Sequence, residues 1–143
     1  MSKQYYKFLI ILIIQFNLFA GAPNFAFEKT YELKKDELEW FFISPKGEEK
    51  WEKYTIRWTH FDNINLILLT EFKKYRKQYV LSLRRRLDYA KEQILADFTN
   101  PSIDKVTMLL QFSDFKDNKA KIKVLVIDDL GRIDVEFKRV LGK

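Results

Sequence analysis

Apolar and polar side chains alternate along much of this chain with a period of two, the signature of strands that bury one face. Residues 51–61 show it plainly, with Tyr54, Ile56, Trp58 and His60 on one side and Thr55, Arg57 and Thr59 on the other. Just upstream, the aromatic run 38–44 ends at Pro45-Lys46-Gly47-Glu48, where proline presets one turn dihedral and glycine supplies a positive one. That junction predicts a hairpin. Residues 64–72 are apolar on both sides, as suits a strand in the middle of a covered sheet. Lys73 to Arg76 then turn the chain into a short extended stretch, 77–83, completing a meander of four strands.

The C-terminal third repeats the rhythm. Val106, Met108, Leu110 and Phe112 share one face, Ile122, Val124 and Val126 a second, and Ile133, Val135 and Phe137 a third. Asp117-Asn118 and the stretch Asp128 to Gly131 are the connecting turns. In the last strand the outward positions Arg132, Asp134, Glu136 and Lys138 carry both signs, which suits an edge.

Between the two sets the period changes. Leu83, Leu87, Ala90 and Ile94 recur at helical spacing and Thr99-Asn100-Pro101 stops the pattern, predicting a helix over 84–97. Arg84, Arg85 and Arg86 at its positive end and Asp97 at its negative end oppose the helix dipole at a total cost of about 1 kcal/mol. Burying the apolar stripe, at about 1.5–3 kcal/mol for each large side chain, outweighs that. The expected fold is therefore mainly β (α+β): a single antiparallel β domain, sandwich or partly open barrel, of about seven strands with one helix packed on it.

The N-terminus reads as an address. Lys3 and Lys7 precede the apolar run 8–20, broken only by Gln15 and Asn17, and small residues follow at Ala20, Gly21, Ala22 and Ala26. A basic start, a short apolar stretch and a small-residue exit describe a secretory signal peptide, here 1–26 with cleavage between 20 and 26, ahead of a β-rich domain at 27–143. The run falls short of the ~20 apolar residues that span a bilayer, so the expected location is periplasmic or secreted. An uncleaved inner-membrane anchor is the alternative, and it would be the only membrane contact.

Composition narrows the chemistry further. The 143 residues include no cysteine and one histidine, which excludes disulfide frameworks, thiolate metal sites and cysteine nucleophiles. No cofactor or metal is expected. Asp114, Asp117, Asp128 and Asp129 offer oxygen ligands without the spacing of a calcium loop, so they read as turn residues. His60 lies near Asp62 with Thr59 and Thr70 in reach, which defines a hydrolase alternative, although no strained nucleophile turn accompanies it. Trp40, Phe42, Trp58, Phe72, Tyr79 and Phe112 could line a barrel cavity, which defines a second alternative, a carrier of an apolar or lipid-like ligand.

The charge pattern carries the preferred reading. Between residues 73 and 91 stand Lys73, Lys74, Arg76, Lys77, Arg84, Arg85, Arg86 and Lys91, against Asp88 alone. Such a concentration meets anionic groups, and export argues against nucleic acid as their source. The expected role is a non-catalytic envelope module binding a protein or an anionic polymer of the cell envelope through Lys73, Lys74, Arg76, Lys77, Arg84, Arg85 and Arg86.

Overall fold

The computed structural model describes residues 25–84, 86–95 and 106–137, which form nine strands in two antiparallel sheets. They are β1 (Phe27–Lys34), β2 (Glu39–Pro45), β3 (Glu52–Phe61), β4 (Asn65–Phe72), β5 (Tyr75–Ser82), β6 (Tyr89–Leu95), β7 (Val106–Lys116), β8 (Lys119–Ile127) and β9 (Ile133–Glu136). One sheet has the order β1-β8-β7-β6 and the other β5-β4-β3-β2-β9. The meander β2 to β5 forms as its alternation predicts, and β9 joins its far side as an edge. The expected signal peptide, apart from Phe25 and Ala26, lies outside the described residues.

Two expectations need correction. The described residues form nine strands where about seven were expected, because β1 and β6 escape the hydrophobic pattern. The stretch expected to be helical folds partly as β6, whose inward residues Ala90, Glu92 and Ile94 follow period two and are buried. The helical stripe fails because two of its four members, Leu83 (43% exposed) and Leu87 (59%), face solvent in the β5–β6 connection. A strand here also supplies ladder partners along β7, from Tyr89 opposite Gln111 to Leu95 opposite Val106.

The sheets face one another across a core of Phe41, Tyr54, Ile56, Leu66 and Leu68 on one side and Met108, Leu110, Phe112, Ile122 and Val124 on the other. Rings lock the two together at one end: Trp58 meets Phe115 edge-on at 5.6 Å, and Phe61 stacks on Phe115 at 4.1 Å and meets Phe112 at 5.7 Å. The Trp58 indole N–H also donates to the Leu33 carbonyl of β1 at 2.8 Å, so its one polar atom is satisfied inside the core.

Two hairpins close with two-residue loops. Lys73-Lys74 joins β4 to β5 with φ of 51° and 68°, and Asp117-Asn118 joins β7 to β8 with φ of 53° and 58°. Both residues left-handed is the type I′ geometry that matches the twist of paired strands.

Candidate functional site

The register of β4 and β5 decides where the cations point. Leu66, Leu68, Thr70 and Phe72 face the core, and their partners Leu81, Tyr79, Lys77 and Tyr75 lie on the same side. Arg76, Gln78 and Val80 therefore lie on the outer face. Lys73 and Lys74 stand exposed at the loop tip between the strands. Arg84 and Arg86 lie beyond the opposite end of β5, and Arg85 is outside the described residues. The described cations of the expected set thus fall in two groups, which ten residues of nearly extended chain put roughly 30 Å apart.

Lys77 also lines the trough described next, while its ammonium donates to Glu92 Oε1 at 2.6 Å, so its charge is shared with that carboxylate.

On the outer side of the five-stranded sheet an open trough of about 460 Å³ is lined by Lys53, Thr55, Arg57, Leu69, Arg76 and Lys77 among others, with Glu71 the carboxylate in its wall. Glu71 accepts from Arg76 Nε at 2.8 Å, leaving Lys53 and Arg57 as surplus positive charge. The Lys53 ammonium sits 4.7 Å above the Trp40 ring, an arrangement that orients a cation on an apolar platform. Lys53 and Arg57 escaped the sequence reading because the charge run was sought along the chain. Their strand neighbours bring them beside Arg76 only through pairing of β3 with β4 and β4 with β5.

Inside the sandwich lies a polar cluster that the sequence reading missed. Glu92 is buried on β6, and its Oε2 accepts from the Tyr54 hydroxyl at 2.6 Å and from the Tyr79 hydroxyl at 3.2 Å. Burial, reinforced by the Glu92 charge, holds the Tyr54 phenol far above the ordinary tyrosine range, and the same two causes push Tyr79 up to about 12. Every donor points at one carboxylate, so the cluster ties β6 to β3 and β5 across the gap between sheets. The available signal was the alternation Ala90-x-Glu92-x-Ile94, with an acid at an inward position.

His60 was expected to share a face with Trp58. A bulge intervenes: Trp58 pairs with Leu68 and His60 with Ile67, so Thr59 is an extra residue and the parity reverses. His60 is consequently exposed, in an open hollow of about 270 Å³ shared with Lys35, Asn63 and Asn118, while Phe61 takes the inward position. Thr70 lies on the buried face of β4, away from this hollow. Asp62 works in the adjoining turn, where its carboxylate accepts from the backbone N–H groups of Ile64 and Asn65 and from the Asn65 amide. Those bonds hold its carboxyl down to about 2.

The two aspartate loops fall at opposite ends of β8, and Asp128 accepts from the Ile133 N–H at 3.0 Å to shape the β8–β9 connection. Of the rings expected to line one cavity, Trp40 and Phe42 face outward and Trp58 and Phe112 face the core, so they do not line a common space. Comparison of the chain with protein-family models, curated proteins and solved structures finds no match.

Proposed function

We propose that the chain is an exported, non-catalytic envelope module that binds an anionic partner through the outer face of the five-stranded sheet. The observation that carries the reading is the convergence of Lys53, Arg57 and Arg76 around one open trough, with Lys73 and Lys74 at the hairpin tip beside them and Glu71 alone opposing them among the lining residues. Cations held on a rigid sheet act as a fixed field, which raises the encounter rate and favours partners of opposite sign. Thr55 and Leu69, on the floor, add a hydrogen-bonding hydroxyl and an apolar surface.

The test is binding of the mature chain to polyglutamate and to polygalacturonate at low salt. In the triple variant Lys53→Glu, Arg57→Glu, Arg76→Glu, affinity is expected to fall roughly tenfold or more, because reversing three charges inverts the local field. The melting temperature should stay close to the parent's, since all three side chains are on the solvent face. Unchanged affinity for both polymers would overturn the reading.

A further inference from the structure

We infer that β5 is a docking edge for an extended acidic polypeptide, which adds to the five-stranded sheet as a further strand. The inference rests on the anionic-partner reading above and names the class of partner.

The backbone makes the first argument. β5 is the outermost strand of its sheet, and among the described residues no strand pairs with its second side. The Lys73-Lys74 loop makes Phe72 and Tyr75 the closing pair, so Tyr75, Lys77, Tyr79 and Leu81 turn their backbone groups toward β4. Arg76, Gln78, Val80 and Ser82 turn theirs outward. Ser82 bears this out, because its N–H is bonded to the Leu87 carbonyl at 2.7 Å on the side away from β4, whereas Leu83 N–H reaches Ile64 of the β3–β4 turn. Arg76, Gln78 and Val80 then offer three N–H and three C=O groups in a row, the template that an added strand uses.

The side chains make the second. Of the eight large apolar residues that stand exposed among the described residues, five lie on β5 or its exit into β6: Tyr75, Val80, Leu83, Leu87 and Tyr89. Cations flank the same edge at both ends, Lys73, Lys74 and Arg76 at one and Arg84 and Arg86 at the other. An extended peptide with alternating acidic and apolar residues complements all three features together: backbone, apolar side chains and charge. A polysaccharide complements the charge alone. A second copy of this chain pairing antiparallel would set the end carrying Lys73, Lys74 and Arg76 against the end carrying Arg84 and Arg86, like charge on like charge.

The experiment uses the mature chain with a ten-residue peptide alternating glutamate and valine, a twin N-methylated throughout its central six residues, and polygalacturonate. The plain peptide should bind at low salt and protect the amides of Arg76, Gln78 and Val80 from hydrogen exchange, while the twin, equal in charge, binds about tenfold or more weakly through loss of several backbone hydrogen bonds. Gln78→Pro removes one outward N–H and keeps every bond to β4, so it should weaken the peptide and leave polygalacturonate untouched. Equal binding of both peptides, or of Gln78→Pro and parent to the plain peptide, overturns the docking edge and leaves the anionic-partner reading standing. Failure of all three probes to bind overturns both. A β5-to-β5 dimer in sedimentation at working concentration also overturns it, with the edge then taken by a second copy.

Discussion

The two sheets are joined in two ways, and the contrast shows what each kind of contact contributes. At one end of the sandwich Trp58, Phe61, Phe112 and Phe115 interlock ring against ring, a contact that depends on shape and on removal from water. Along the β5–β6 side, Glu92 gathers the hydroxyls of Tyr54 and Tyr79 and the ammonium of Lys77. That join depends on direction and on protonation state. The ring end works by burying apolar surface, whereas the carboxylate selects one arrangement of β6 against β3 and β5, since any shift by one residue would turn Glu92 to solvent.

The contrast can be broken at its strong end first. Phe112→Ala should cost about 3–5 kcal/mol, the range for truncating a fully buried aromatic, and the loss should hardly change between neutral and alkaline solution because the four interlocking rings carry no ionisable group. Denaturant titration at two pH values reads both statements, and a strongly pH-dependent loss would mean that the two joins are coupled.

Glu92→Ala should cost less, about 2–3 kcal/mol, because it strands two hydroxyls and a cation whose side chain is 44% exposed and can rehydrate. Glu92→Gln keeps an acceptor and gives up the charge, so it should recover part of that loss. A Glu92→Ala variant as stable as the parent would show that the carboxylate is a passenger in the core.

The smallest effect concerns pH. Tyr79 is neutral in the folded chain up to about 12, above the ordinary tyrosine value of 10.0, so folding favours the protonated phenol. Its contribution is fully present below the unfolded value and declines as pH rises from there through about 12. Between about pH 8 and about pH 11 the parent should therefore lose more stability than Tyr79→Phe, which cannot ionise there. Identical losses would show that Tyr79 titrates as it does in the unfolded chain.

What the sequence disclosed follows the same division. β2, β3, β4, β7 and β8 were legible because their inward positions carry mostly large apolar side chains at period two. β1 was not, since only Tyr31 and Leu33 are buried in a strand otherwise filled with Glu28, Lys29, Glu32 and Lys34. β6 was misread because an acid at its central inward position hides period two, while Leu83 and Leu87 complete a helical spacing by coincidence. The His60 bulge leaves no mark in composition, being a matter of one extra residue in the ladder. Of the candidate site, Lys73, Lys74 and Arg76 could be found by reading along the chain, but Lys53 and Arg57 needed the register of three strands.

The two tight hairpin loops lead to one more consequence. Aspartate and asparagine tolerate the left-handed backbone at 117 and 118, since their short side chains can bond locally there. Lysine has no such help at 73 and 74, where local preference alone would select asparagine and glycine. The tip of the β4–β5 hairpin is therefore a place where conformational ease and electrostatic character ask for different amino acids, and the residues present answer to the second.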